Sequence, residues 1–346
     1  MTDDERSDGA SARPAHDRRL PGEGGVVRGR PELGGGAATP SFALPADAGD
    51  GLPGAPQPLR VGPTTFAWGS RTFVMGVLNV TPDSFSGDGL LTEDDPAAAA
   101  VRQATRMVDE GADILDVGGA SSRPGHERLD TREEIARVVP VLRAVRAALP
   151  ATPLSIDTTS PAVADAALDA GADLLNDVWG VADDAVLVRL AAARGVPIVL
   201  MHNRAEARYR NLVPEIIADL QRALERALDA GVPWKHLLVD PGFGFGKTPD
   251  HNLALLGDLA ALQVLGRPIV LGTSRKSTLG KLLDAPPDRR VEATVATTAL
   301  GIASGVDVVR VHDVLENART ARVADAIVRG WRPDTWPSDA ERGGAE

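Results

Sequence analysis

One unit recurs along this chain of 346 residues and limits the folds open to it. A helix-like stretch ends in Gly-Ala-Asp or a close variant, and a short apolar run follows and stops at a polar residue. The unit reads EGADILDVGG at 110–119, AGADLLNDVWG at 170–180, RGVPIVLMHN at 194–203 and SGVDVVRVHD at 304–313. FVMGVLN (73–79), PLSID (153–157), HLLVD (236–240) and RPIVLGTSRK (267–276) bring the apolar runs to eight. Ala/Leu/Arg-rich stretches such as 131–149, 214–230 and 289–304 lie between them as helices. Short continuous apolar strands alternating with helices indicate a parallel sheet covered on both faces. Eight units in about 270 residues predict an α/β fold, a single (β/α)8 TIM barrel, with an open doubly wound sheet as the alternative.

The barrel is expected over 58–332. Residues 1–57 are rich in Gly, Pro, Asp and Arg without apolar periodicity, which predicts a disordered N-terminal extension. Residues 333–346 read as a disordered C-terminal tail. FAWGSRTF (66–73) predicts a short N-terminal hairpin around Gly69 that leads into the first barrel strand. The chain has no cysteine, which excludes disulfides and cysteine nucleophiles and suits a reducing compartment. Its N-terminus lacks an apolar signal core and no run has the length of a membrane helix, so the expected location is cytoplasmic. A net charge of −11 and only 3% aromatic residues argue against nucleic acid and anionic membranes as partners. A small molecule is the better expectation.

The strand ends deliver Asn79, Asp116, Asp157, Asn176, His202, Asp240, Lys276, and Arg310 with His312. In a barrel these ends meet at one rim, where active sites are built. Asp157, Asn176 and Asp240, with Lys276 nearby, suit a flat heterocycle read along its edge by hydrogen bonds. The plain alternatives are that Asp157 caps the helix near Pro161 and that Asp240 forms a salt bridge. Arg310 and His312, with Arg123 in the loop after the second strand, form a cationic set suited to phosphate. Here the alternatives are an Arg310–Asp313 pair and a core histidine. The loops 81–96 and 120–131 are long for a barrel and read as lids. His126, His202 and Asp88 lack metal-ligand spacing, so the expected metal is magnesium, held jointly by one protein oxygen and a substrate phosphate. DPGFGFGKT (240–248) has the look of a phosphate cradle, yet only three residues separate Gly242 from Gly246 where a P-loop needs four.

Taken together, VMGVLNVTPDSFSGDG, ADILDVGGASSRPG, LSIDTT, GADLLNDVWG, DPGFGFGKTPDHN, VLGTSRKS and VDVVRVHDV resemble the dihydropteroate synthase family, in order, from residue 73 to about 329. The resemblance implies a pterin-binding barrel that joins a dihydropterin carrying a CH₂-diphosphate to p-aminobenzoate, yielding 7,8-dihydropteroate and diphosphate in folate synthesis. It implies that Asp157, Asn176, Asp240 and Lys276 hold the pterin, with Met201 and Phe245 as walls. By the same motifs Arg310 and His312 grip the diphosphate, and Arg310 also stacks along the pterin. Asn79 coordinates Mg²⁺, Ser122 and Arg123 close over the leaving group, and Phe85, Ser122, Pro124 and Ser274 line the aminobenzoate site. Asp157, Lys276, Arg310 and Arg123 are the implied catalytic set, and a homodimer is the implied assembly. The implied mechanism is diphosphate loss, a cation at the exocyclic methylene, then attack by the amine.

Two departures stand out. Family members read Glu-Ser-Thr-Arg-Pro in the second lid where this chain has Ala120-Ser121-Ser122-Arg123-Pro124, losing a carboxylate and a methyl. The run at 201–204 is Met-His-Asn-Arg where Met-His-Met is usual. The competing functional readings are a pterin-binding methyltransferase, which would need neither lids nor diphosphate grip, and an inactive pterin-binding paralogue.

Overall fold

The structure is a computed structural model that describes residues 56–81, 95–120, 129–182 and 184–333, all within one unit, Phe42–Glu346. The extension to residue 55, the tail from 334, most of both lids, and Phe85, Ser122, Arg123 and Pro124 lie outside the described residues.

Eight parallel strands form the ring: β3 (Phe73–Asn79), β4 (Ile114–Gly118), β5 (Leu154–Asp157), β6 (Leu174–Asp177), β7 (Ile198–Met201), β8 (Leu237–Asp240), β9 (Val270–Leu271) and β10 (Val308–Val311). Their order is β8-β7-β6-β5-β4-β3-β10-β9. A parallel bridge between Val239 and Ile269 joins β8 to β9 and closes the ring. Helices α1 (Pro96–Asp109), α2 (Thr131–Ala148), α3 (Pro161–Asp169), α4 (Val186–Arg194), α5 (Leu212–Asp229) and α6 (Pro249–Gly257) follow β3 to β8 in turn. Two helices, α7 (Ser277–Leu283) and α8 (Val291–Ala303), follow β9, and α9 (Val314–Val328) follows β10. The doubly wound alternative is excluded by the closed order.

The recurring Gly-Ala-Asp has a mechanical explanation. After α1, Gly111 takes φ +110, which lets the next amide, of Ala112, reach back to Met107 O at 2.8 Å. A side chain at such a φ costs ~1–2 kcal/mol, so glycine belongs there. The same turn closes α3, α4, α5 and α8. The aspartate then fastens two strands together at their feet. Asp113 donates its amide to Val74 O at 2.7 Å and accepts the Val74 amide on Oδ2 at 2.8 Å. Asp173 does the same with Leu154, and Asp307 with Ile269. The alternate seams carry proline instead, whose carbonyls at Pro153, Pro197 and Pro268 accept from Leu115, Leu175 and Val239.

The core has two parts. One lies between sheet and helices, with Leu115, Val117, Leu142, Leu175, Leu200 and Leu220 among its members. The other fills the bottom of the barrel, where Met75, Ile114, Leu174, Val199, Leu238, Val270 and Val308 point inward. A hairpin of β1 (Leu59–Val61) and β2 (Thr64–Phe66) plugs this end with Leu59, Val61 and Phe66, and Trp68 stacks on Phe66.

Two sequence expectations need correction. The hairpin pairs 59–61 with 64–66 and turns at Gly62–Pro63, not around Gly69. Gly69 has φ +80 in a separate turn that starts the descent into β3, so the glycine signal was real but belonged to the next bend. In RPIVLGTSRK only Val270 and Leu271 form the strand, with Ile269 bridging to Val239, and the chain leaves the ladder from Gly272 onward.

Candidate active site

Side chains alternate along a strand, so residues two apart share a face. On β4, β6, β8 and β10 the inward pair is apolar below and polar above: Ile114 and Asp116, Leu174 and Asn176, Leu238 and Asp240, Val308 and Arg310. The apolar members belong to the floor, and the polar ones form a layer directly above it.

Asp116 is the centre of that layer. It is wholly buried, and its Oδ2 accepts from Arg310 Nε at 2.6 Å and from Asn176 Nδ2 at 3.1 Å. Arg310 Nη2 continues to Asp157 Oδ2 at 2.8 Å. One guanidinium therefore ties β10 to both β4 and β5. Because Asn176 spends its N–H on a carboxylate, its carbonyl oxygen is left for a ligand. Burial works against the Arg310 charge, and Asp116 and Asp157 more than restore it. Burial pushes the Asp157 carboxyl up to about 7, with Arg310 opposing and Asp116 and Glu134 adding to the rise. Asp240 is likewise raised by burial, while Lys276 and the Gly242 amide, 2.7 Å from Oδ1, pull it back.

Lys276 approaches from the loop after β9. Its Nζ donates to Phe243 O and lies 4.5 Å from the centre of the Phe245 ring. Burial lowers it to about 8 despite Asp240 and Asp157. Ser274 and His312 form a second, smaller unit. Ser274 Oγ accepts the His312 amide at 3.1 Å and lies 3.0 Å from Nδ1. Burial, together with Arg310 and Arg275, lowers the His312 imidazole to about 3, so it is neutral at pH 7. The expected cationic pair is thus one cation and one neutral ring. When the Ser274 hydroxyl donates to Nδ1, Nε2 carries the proton and offers it as a donor. Asn79 ends β3 half-buried, level with Gly118, and Met201 ends β7 fully buried.

Two of the plain alternatives are excluded. Ser160 caps α3, so Asp157 does not. Asp313 pairs with Arg275 at 2.6 Å, which leaves Arg310 to the interior. The structure therefore unites Asp157, Asn176 and Arg310 through Asp116, Lys276 with Phe245, and Ser274 with His312. The sequence marks Asp116 only as a strand end. Its signal was parity, since it shares an inward face with Ile114 and Gly118.

A family described as pterin binding enzyme matches residues 75–312. The dihydropteroate synthase of Clostridium beijerinckii is 47% identical over 272 residues, which is 78% of this chain and 100% of the relative. The Clostridium difficile dihydropteroate synthase, solved in the presence of pteroic acid, matches with TM-score 0.72 at 44% identity, over 76% of this chain and 99% of that one. The Xanthomonas albilineans dihydropteroate synthase, solved with 4-aminobenzoic acid, matches with TM-score 0.73 at 38% identity, over 79% and 98%. With the family model covering most of the barrel and relatives matched over nearly their full length, this chain belongs to the pterin-binding enzyme family and, within it, to the dihydropteroate synthases.

Proposed function

We propose that the chain transfers a dihydropterinylmethyl group from its diphosphate to the amine of p-aminobenzoate, giving 7,8-dihydropteroate and diphosphate in folate synthesis, and that it does so in the cytoplasm. The observation that carries this reading is the polar layer above an apolar floor, with Asp116, Asn176 and Asp240 buried and Asp157, Lys276 and Arg310 half-buried beside them. Such a layer offers both acceptors and donors to one flat ring.

In this reading Asp157, Asn176, Asp240 and Lys276 take the pterin edge, with Met201 and Phe245 against its faces. Arg310 turns from Asp157 toward the diphosphate while keeping Asp116, and neutral His312 donates from Nε2. The carbon–oxygen bond then breaks with its electron pair going to the diphosphate. Freed of its guanidinium, Asp157 faces the methylene cation and stabilises it. The amine supplies the pair for the new carbon–nitrogen bond and gives up a proton. Ser122 and Arg123 close over the leaving group and, with Phe85 and Pro124, exclude water. Ser274, anchored by His312, lines the aminobenzoate side.

The donor set fits magnesium of one kind only. Among the described residues no three His, Asp or Glu side chains gather to hold a metal, but Asn79, which carries an amide oxygen, ends β3 at the rim. A hard cation that keeps waters and substrate phosphate oxygens as its other ligands suits one such oxygen. When bound there, it would supply neutralising charge to the departing diphosphate. A homodimer is part of the proposal, supported by Leu300, Val323 and Ile327, which stand 61%, 63% and 79% exposed on α8 and α9. No helix among the described residues is long and apolar enough to cross a membrane.

The decisive assay incubates purified protein with Mg²⁺, the pterin diphosphate and p-aminobenzoate. Release of diphosphate together with dihydropteroate is expected. No amine-dependent product at micromolar enzyme would overturn the reading.

A further inference from the structure

The lysine of DPGFGFGKT takes no part in the chemistry above, and it is not on the surface. Lys247 Nζ lies 3.0 Å from His202 Nδ1, 3.0 Å from Gly242 O and 3.1 Å from Phe245 O. Three acceptors match the three donors of an ammonium. The bond to Nδ1 also sets the imidazole, whose proton then sits on Nε2, 3.1 Å from Asp219 Oδ2. Burial works to raise Asp219, but bonds from His202 and Arg204 outweigh it and bring the carboxyl down to about 2. Behind the loop there is thus a continuous line from Lys247 through His202 to Asp219 and Arg204.

The loop itself is pressed against the chain that follows β7. A Cβ on Gly242 would fall 1.8 Å from His202 O, and one on Gly246 would fall 2.3 Å from Arg204 O. On its other side the loop presents the Phe243 carbonyl and the Phe245 ring, both of which meet Lys276 Nζ. Lys247 and Lys276 therefore hold the same short loop from opposite sides. Burial lowers Lys247 to about 7, with Asp240 opposing and Lys276 and Arg204 adding to the fall, so a buried ammonium here works against stability.

We propose that Lys247 is a positioning residue of the pterin pocket, which clips the 242–247 loop to the end of β7 and so sets where Phe245 and the Phe243 carbonyl meet Lys276. The proposal rests on the reading of this pocket as the pterin site. Lys247→Met keeps the shape and removes all three donors. The expected result in the full chain is a rise of about tenfold in KM for the pterin diphosphate, with kcat and the p-aminobenzoate KM each within about twofold. Lys247→Gln keeps two donors, folds more readily, and is expected to give about a threefold rise. In ¹⁵N spectra of histidine-labelled protein, His202 is expected to show a fixed Nε2–H tautomer in the parent and to lose it in Lys247→Met. An unchanged pterin KM in either variant overturns the proposal, as does an equal loss in kcat and both KM values. Lys276→Ala, whose turnover is expected to be lost, serves as the control in calorimetric binding of the pterin diphosphate. If it weakens that binding while the Lys247 variants leave the pterin KM unchanged, the clip alone is wrong. If neither weakens pterin binding, the pterin reading of the pocket fails.

Discussion

Replacing Asp116 by asparagine tests whether the carboxylate beneath the pocket orients the groups above it. Its Oδ2 serves Arg310 and Asn176 together, and its Oδ1 has no partner among the described residues. The amide keeps the outline and drops the charge. Its own N–H₂ must then point at two donors or toward Ser155, which stands opposite in register. Hydrogen bonds to a charged group contribute ~1.5–3 kcal/mol and neutral ones ~1, so the change removes ~1–2 kcal/mol at Arg310 and up to ~1 at Asn176. If that loss falls on substrate orientation, kcat/KM for the pterin diphosphate drops about 5- to 150-fold. Neither Arg310 nor Asn176 is assigned to the aminobenzoate, so its KM should move by less than about twofold. Asparagine is chosen over alanine because leaving a buried guanidinium half-paired costs ~3–5 kcal/mol and endangers the fold itself. Diphosphate release at varied pterin diphosphate and saturating amine, run beside thermal denaturation, reads both effects. A variant that melts several degrees lower yet keeps kcat/KM within about threefold would refute the reasoning. Asp116 would then brace the barrel and do nothing for the ligand.

Lys276→Ala and Arg310→Ala are each expected to abolish turnover while circular dichroism shows the fold retained, and normal turnover in either would mean the residue has no part in the reaction. Lys276 sits at about 8 in the fold against 10.5 ordinarily. Activity should therefore fall as pH rises through about 8 and the ammonium is lost, while stability should rise between those values, where the unfolded chain holds more protons. A flat kcat/KM profile to pH 9.5 would show that the charge is not used. Phe66→Ala at the floor is expected to cost ~3–5 kcal/mol in denaturant unfolding and to leave both KM values unchanged, and altered KM values would mean the floor communicates with the site. Chelation by EDTA should stop diphosphate release and added Mg²⁺ should restore it, whereas activity indifferent to chelation would remove the metal from the proposal.

The barrel was legible because its repeat has a local cause. Glycine sets the turns that end α1, α3, α4, α5 and α8, and Asp113, Asp173 and Asp307 each satisfy a neighbouring strand through two bonds. Both leave a mark in the sequence. The polar strand ends were legible for the same reason, since period two places them. What stayed hidden depends on partners distant in sequence. Nothing near His312 announces a neutral ring, because burial and two arginines decide it. Lys247 reads locally as a surface or loop lysine, and only the fold brings His202 to it. The misplaced hairpin has the opposite cause, with two glycine turns seven residues apart and only tertiary packing to choose between them.

The two kinds of seam have a consequence for how the ring can be taken apart. Aspartate fastens β3 to β4, β5 to β6 and β9 to β10, while backbone bonds to proline carbonyls mark the seams β4–β5, β6–β7 and β8–β9. A chain divided after β6 keeps every aspartate fastening inside one fragment. Apart from the sheet seams, the polar ties left between the halves include Thr72 with Asp325 at the foot and Arg310 with Asp116 and Asp157 at the mouth. Two separately expressed half-barrels would thus recognise one another through the guanidinium that the proposed chemistry uses, and return of catalysis would report their reassembly.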